Sequence, residues 1–341
     1  MKNYDVIIVG AGPAGLNCAK KLVENGISVL ILEKNSKIGS KVCAGGLTNK
    51  SLRYLNLPSR LLDRKFKKII FCTPLNKICF KLDRYFIYTV DREKLGQWQM
   101  KKLKGGNIEI KTNSQVTKID ENKVIVNNSE IFGYKYLVGA DGSTSIVRRY
   151  LGLNFKNIIG IQYIVKTKMY KDLEIHFDSK LFGLGYAWIF PHKNYVSIGC
   201  GSSSKNLKIN DKFNFWLKKN RFDISLGEYQ ASPINVDFCG YKFGNVFLAG
   251  DAAGLASELT GEGIYQALIS GEEVAKTILD KNYVSLKINE LIEMKKRHRK
   301  VINIFSKFGF LKNNIVELFG LALKNEFLKE KIVENIGKKL I

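Results

Sequence analysis

Residues 4–33 restrict the fold of this chain more than any other stretch. YDVIIV (4–9) is a short, fully apolar strand. It runs directly into Gly10-Ala11-Gly12-Pro13-Ala14-Gly15, and residues 13–25 then place Ala14, Leu16, Ala19 and Leu22 on one helical face. SVLILE (28–33) is a second buried strand ending in Glu33. Strand, helix and strand within about thirty residues make a βαβ unit. Gly10 permits the tight turn, Gly12 lets the backbone approach a pyrophosphate, and Gly15 lets the helix pack closely on the strand. Phosphates then meet the helix N-terminus, where free N–H groups and the dipole favour anions. Glu33, eighteen residues after Gly15, suits a ribose diol and disfavours a 2′-phosphate.

The rest of the 341 residues exceeds one compact core and fits two interleaved domains plus a tail. Residues 34–47 form a glycine-rich loop, and 66–90 alternate as hairpin-like strands. Residues 91–103 read as a helix, 107–133 as a β-meander and KYLVGA (135–140) as a buried strand. Period-two patterning dominates 152–240, with a helix near 208–219. NVFLAG (245–250) is again a buried strand, before a helix over 261–280. This is an α/β chain with a Rossmann-like domain assembled from separated segments (1–60, 91–150 and 241–280). A sheet-rich substrate domain (61–90 and 151–240) is inserted, and a helical region (281–341) closes the chain. In that tail Leu311, Ile315, Leu318 and Ala322 share a face, as do Leu328, Ile332, Ile336 and Leu340, among lysines. Such a helix packs on its own domain or lies on a membrane surface; packing is the commoner outcome.

The net charge of +24 comes from lysines spread over the chain. It suits an acidic partner or anionic lipid, but no basic block alternates with stacking aromatics, so no nucleic-acid partner is expected. The six cysteines form no CxxC pair, Cys72 and Cys79 are too far apart for a zinc knuckle, and there are three histidines. On spacing, no metal site is expected. Chain start and free thiols suggest a cytoplasmic protein, and no apolar run is long enough to span a membrane.

The glycine motif alone does not separate FAD from NAD. LVGADGSTSIVRR (137–149) and NVFLAGDAAG (245–254) do, each ending a buried strand in a small-residue turn with an aspartate. With these, the chain resembles the flavoprotein class that includes para-hydroxybenzoate hydroxylase and the geranylgeranyl reductases. The resemblance implies FAD as cofactor. It implies that Asp251, after Gly250, holds the ribityl chain, and that Asp141 and Gly142 lie near the cofactor. It further implies FAD contacts from Arg92 in VDREKL (90–95), where Asp-Arg opens a helix, and from the Val116 backbone; Lys34 follows Glu33 in the cofactor set. The helix after Gly261-Glu-Gly263-Ile264 would point its N-terminus at the flavin and favour negative charge there. No second such fingerprint exists, so a nicotinamide donor would bind only transiently.

Two patterns point to the geranylgeranyl reductase family. Lys41-Val-Cys43-Ala44-Gly-Gly46-Leu resembles its cysteine-glycine loop near the flavin, and Tyr186-Ala-Trp188-Ile-Phe190-Pro resembles the segment lining its isoprenoid channel. LTGEGIYQALISGEE (259–273) matches as well. The resemblance covers residues 1 to about 280. The chain departs at Gly183, where a proline is usual, at Ser257-Glu258, where Asn-Pro is common, and in its shorter C-terminal part. A strand presenting Tyr186, Trp188 and Phe190 on one face walls a prenyl channel or simply packs a core. The resemblance favours the channel.

The implied activity is an FAD-dependent reductase that saturates C=C bonds of a geranylgeranyl-type chain in a lipid or related prenyl compound. Tyr186 and Trp188 would orient the chain, and Cys43 would either supply a proton or pack the flavin. NAD(P)H or a ferredoxin would be the electron donor, with a peripheral membrane contact if the substrate is a lipid. The rival readings are a monooxygenase acting on a small apolar or aromatic substrate, and a prenyl-binding escort without redox activity. The Cys-Ala-Gly-Gly loop weighs against the first, and intact Glu33, Asp141 and Asp251 weigh against the second.

Overall fold

A computed structural model describes residues 1–103, 105–202, 208–308 and 317. They form two compact units, each assembled from separated stretches. The first contains Met1–Lys41, Arg92–Asn157 and Pro233–His298; the second contains Val42–Asp91, Ile158–Ser232 and, of the described residues that follow, 299–308 and 317. Residues 42–60, expected with the nucleotide segments, belong to the second unit, because Gly46–Thr48 pairs with Ile87–Val90 there.

The first unit is built on a sheet with the order Lys242–Phe243, Val246–Leu248, Glu130–Gly139, Lys2–Val9, Val29–Leu32, Ile108–Lys111. From Val246–Leu248 to Ile108–Lys111 every pair is parallel. Central strands of such a sheet are covered on both faces, which explains their unbroken apolar runs; Val6, Ile7 and Ile8 are fully buried. Ile108–Lys111, read from sequence as part of a meander, is instead the parallel edge. The antiparallel meander begins at Val116–Asp120 and continues through Lys123–Val126 into Glu130–Gly139. Helix Pro13–Val23 meets helix Ile264–Leu279 at Gly271, where any Cβ would lie 2.2 Å from the Ala14 carbonyl oxygen. Helix Leu286–Lys307 follows. The apolar faces read at 311–340 lie outside the described residues.

The second unit has a seven-stranded sheet with the order Glu228–Asn235, Asn157–Val165, Val196–Ser202, Tyr186–Pro191, Leu173–His176, Lys68–Cys72, Lys77–Lys81. From Asn157–Val165 to Lys77–Lys81 the pairs are antiparallel except Leu173–His176 against Lys68–Cys72, which is parallel. Helix Ile209–Lys219 covers one face, packing Phe213, Trp216 and Leu217 on Ile161, Ala187, Ile189 and Ile198. A three-stranded sheet joins Gly46–Thr48, Ile87–Val90 and Leu62–Phe66.

Candidate active site

In the first unit the glycine motif has the geometry its spacing implies. Gly10 has φ +99°, and a Cβ there would lie 2.5 Å from the Ala140 carbonyl oxygen. A Cβ on Gly15 would lie 2.0 Å from the Gly10 carbonyl oxygen. Around Gly12, by contrast, a Cβ would meet no protein atom within 4 Å. Gly12 is also the N-cap of helix Pro13–Val23, which has no side-chain cap, so first-turn amides are left for a ligand. Glu33 is buried; its Oε2 accepts from the Ala11 N–H at 2.8 Å and its Oε1 from the Asn35 N–H at 3.0 Å. The carboxylate thus ties down the glycine turn and keeps lone pairs for a ribose. Lys34 beside it is exposed.

The two aspartate turns lie in the same unit. Asp141 Oδ2 accepts from the Ile146 N–H at 2.7 Å, while its Oδ1 is buried without a partner in the chain. Burial pushes the Asp141 carboxyl above the usual carboxylate range, against the pull of Ser145 and backbone amides. Gly142 follows with φ +78°. Asp251 Oδ2 takes the Lys41 ammonium at 2.5 Å and the Ser143 hydroxyl at 3.2 Å. Asn235 supports both turns, its backbone N–H donating to Ser143 Oγ and its side-chain amide to the Asp251 carbonyl. At Gly250 a Cβ would lie 3.3 Å from the Ala14 Cβ and 3.2 Å from the Ala267 Cβ. The strand end and both nucleotide-facing helices therefore converge there.

Helix Ile264–Leu279 starts at Gly263 without a side-chain cap, after Gly261 at φ +66°. Arg92 opens helix Arg92–Lys101 with a buried, unpartnered Nε. Val116 is buried at the start of its strand. An orphaned Arg92 Nε, an orphaned Asp141 oxygen and the open cradle at Gly12 are what a dinucleotide with a flavin ring would satisfy.

Sequence reasoning missed Lys41, Ser143 and Asn235, whose pairings depend on tertiary approach. Lys295 donates to the Ala256 and Val236 carbonyls at 2.7 and 3.1 Å, and His298 Nδ1 bonds Ser257 Oγ at 2.8 Å. The departure at Ser257-Glu258 is thus a local fit: Ser257 meets His298, and Glu258 pairs with Lys156 at 2.8 Å. Burial, with Lys295 and Arg297 adding to it, holds His298 below the ordinary histidine value of 6.5. The unfolded chain therefore binds the proton first as pH falls. The contribution of His298 to stability is complete above 6.5 and shrinks below it. Urea midpoints taken across that range should fall on acidification, and less steeply in His298→Gln. Equal slopes would remove this role.

In the second unit the cysteine loop and the aromatic strand come together. Tyr186, Trp188 and Phe190 share one half-buried face, with Ala187 and Ile189 buried on the other. Trp188 lies against Gly199, where a Cβ would come within 2.3 Å of its ring. A directed chain of hydrogen bonds leaves Trp188. Its Nε1–H donates to Ser197 Oγ at 2.9 Å, and the Ser197 hydroxyl donates to Gln162 Oε1 at 2.8 Å. Gln162 Nε2 then donates to the Cys43 carbonyl at 3.4 Å and to Gln230 Oε1 at 2.8 Å. His192 holds the next carbonyl, with Nε2 at 3.0 Å from the Ala44 oxygen and Nδ1 at 2.8 Å from Asp63 Oδ2. A carbonyl only accepts, so Nε2 carries the hydrogen that faces Ala44. The Tyr195 ring stacks on His192 at 4.2 Å.

The Gly45 N–H points at Cys43 Sγ, 3.4 Å away. Gly46 admits the Phe190 ring, which a Cβ would meet at 2.7 Å. Phe190 also rests on the cluster around Phe66, Phe80 and Phe86, so it backs the loop while Tyr186 and Trp188 hold the rest of the face. Tyr186 continues into Phe177 and Phe71, at 6.0 and then 6.2 Å between centroids. Gln162, His192, Asp63 and Ser197 carry no recognisable motif and were not anticipated.

A parallel sheet with this glycine cradle and two aspartate turns defines a dinucleotide-binding oxidoreductase. Residues 4–174 match the family model described as pyridine nucleotide-disulphide oxidoreductase. The chain is similar to digeranylgeranylglycerophospholipid reductase of Methanococcus vannielii, 30% identical over 83% of this chain and 79% of that one. It is also similar to geranylgeranyl diphosphate reductase of Rhodobacter capsulatus, 25% identical over 81% and 75%. Its fold matches a geranylgeranyl bacteriochlorophyll reductase-like protein of Thermoplasma acidophilum, with TM-score 0.80, 22% identity and full coverage of both chains. The protein belongs to the geranylgeranyl reductase family and is an FAD-dependent oxidoreductase. Among the described residues no helix is long and apolar enough to cross a membrane.

Proposed function

We propose that this protein saturates C=C bonds in the isoprenoid chain of a geranylgeranyl lipid or related prenyl compound. The observation that carries the reading is the bonded path from Trp188 through Ser197 and Gln162 to the Cys43 carbonyl. It fixes an aromatic face and a thiol loop as one rigid element. Two residues before Cys43 the chain carries Lys41, whose ammonium sits on Asp251. In this reading Gly12, the amides of Pro13–Val23, Glu33, Arg92, Asp141, Asp251 and the Ile264 helix start hold FAD, with Lys34, Gly142 and Val116 bordering it. Bound FAD supplies the hydride.

An isolated alkene offers no carbonyl to polarise, so the chain's own residues must orient it and exclude water. Tyr186 and Trp188 do this with flat apolar faces. The Cys43 thiol is the group assigned to supply the proton to the second carbon, and the Gly45 N–H lies 3.4 Å from its Sγ. The electrons come from an external reductant, with NAD(P)H and reduced ferredoxin as the two candidates.

The test is anaerobic incubation of FAD-loaded, chemically reduced protein with a geranylgeranyl lipid, read by mass spectrometry. A gain of two hydrogens per saturated bond is expected. No gain would sink the reading, as would an oxygen-dependent gain of one oxygen atom in a parallel aerobic incubation, which would indicate a hydroxylase. Trp188→Ala should raise KM and lower product while keeping FAD. Cys43→Ala should lower turnover roughly 10²-fold, the usual worth of a positioned acid, with FAD content unchanged. Full turnover in that variant would leave Cys43 as packing only.

A further inference from the structure

The parallel pairing of Leu173–His176 with Lys68–Cys72 has a chemical consequence away from the aromatic face. Glu174 and His176 stand two apart on one strand, so both project to the same side, and His176 lies directly opposite Cys72 in register. That side is the one occupied by Ala187 and Ile189, since Glu174 pairs with Ile189 and His176 with Ala187. It is the helix-covered face of the sheet, the reverse of the one presenting Tyr186 and Trp188.

There, His176 Nε2 lies 3.0 Å from Glu174 Oε2, and Cys72 Sγ lies 3.7 Å from the same oxygen. One ligand atom from each residue falls within 4.8 Å of the other two. All three side chains are partly buried, the ring of His176 is braced edge-on by Trp216 at 5.1 Å, and Lys77 reaches Glu174 Oε1 at 3.3 Å from the neighbouring strand.

We propose that Cys72, Glu174 and His176 form a binding site for one zinc-class divalent cation, tying strand Lys68–Cys72 to strand Leu173–His176. The donor set is a thiolate, an imidazole and a carboxylate, the types that zinc selects. Metal–ligand lengths of about 2.0–2.3 Å put donors in a tetrahedral site roughly 3.2–3.8 Å apart. The two pairs with resolved distances already sit near that range, and small side-chain rotations bring Sγ and Nε2 in. The charges balance: a thiolate and a carboxylate neutralise a dication, with the thiol proton released to solvent. Three protein ligands leave the fourth position to water. Lys77 competes for Glu174 and moderates the affinity. The lack of a CxxC pair, the wide Cys72–Cys79 spacing and the three histidines argued against a metal; strand register brings Cys72 to Glu174 across 102 residues. The inference stands apart from the prenyl reductase reading, because it uses neither the flavin nor the aromatic face.

The test is metal titration of the full-length, FAD-loaded protein after chelator treatment and dialysis. Zinc is followed by calorimetry, and cadmium by its NMR resonance. One equivalent per chain is expected, with a cadmium resonance shifted as one thiolate ligand requires. Cys72→Ala should weaken zinc at least a hundredfold and abolish that shift, while Lys77→Met should tighten zinc several-fold. Flavin content and circular dichroism check folding; if Cys72→Ala fails to fold, His176→Gln carries the same expected loss of affinity. Absence of one-to-one binding in the wild type, or an unchanged thiolate resonance in Cys72→Ala, would overturn the site and leave only a hydrogen-bonded cluster.

Discussion

Replacing Gly15 with alanine should abolish FAD retention and destabilise the first unit, while the same replacement at Gly12 should cost FAD alone. At Gly15 two effects oppose each other. Alanine in a helix is worth about 1 kcal/mol over glycine. The new Cβ, however, would sit 2.0 Å from the Gly10 carbonyl oxygen, a backbone atom that cannot rotate away. Relief requires the helix to move by about an ångström, and overpacking of this kind costs about 1–3 kcal/mol or more. The clash wins. The same movement displaces the amides meant for phosphate, and misplacement on that scale costs on the order of 10²-fold in a positioned interaction. Gly12 has φ −77° and ψ −177°, an extended conformation open to alanine, and no protein atom lies within 4 Å of the added Cβ. Its methyl group would therefore occupy only space needed by the cofactor. Flavin content after gel filtration, with urea unfolding of both variants, separates the two. A Gly12→Ala protein that keeps FAD at wild-type affinity would show that the phosphates lie elsewhere.

Arg148→Ala should be the most destabilising single substitution outside the glycine motif. Arg148 is fully buried. Its Nε donates to the Asn154 carbonyl at 2.7 Å and Nη1 to the Ala252 carbonyl at 3.1 Å; Nη2 lies 3.2 Å from Cys239 Sγ and 3.5 Å from Asp237 Oδ2. Asp237 is partly exposed, so water can replace the arginine there. The two carbonyls and the emptied volume carry the cost, about 3–5 kcal/mol for breaking a buried charged network. Because Ala252 follows Asp251, flavin retention should fall as well. Arg148→Lys keeps the charge but loses the planar fork, so it should recover only part of either loss. A shift below about 1 kcal/mol in urea unfolding of Arg148→Ala would mean that the cavity collapses around the lost side chain.

The parts legible in sequence are those whose physics is local. The glycine cradle, its flanking strands and Glu33 lie within thirty-three residues, and each is constrained by sterics against its immediate neighbours. Helix Ile209–Lys219 was readable for the same reason, as one apolar stripe on a single element. The edge strand Ile108–Lys111 was misplaced because a short run with alternating polarity looks the same in a meander and at a parallel edge. Nothing local ties residues 42–60 to the second unit; pairing of Gly46–Thr48 with Ile87–Val90 does that.

The amino-acid order alone determined that this chain binds a dinucleotide, since glycines at 10, 12 and 15 between apolar runs leave the backbone little else to do. Only the tertiary structure decided what surrounds the cysteine loop and where a cation could sit. Gln162 reaches Cys43 across 119 residues, His192 reaches Ala44 across 148, and Cys72 meets Glu174 across 102. Those meetings are set by strand register, which depends on which faces can be buried together, and no short stretch of sequence contains that information.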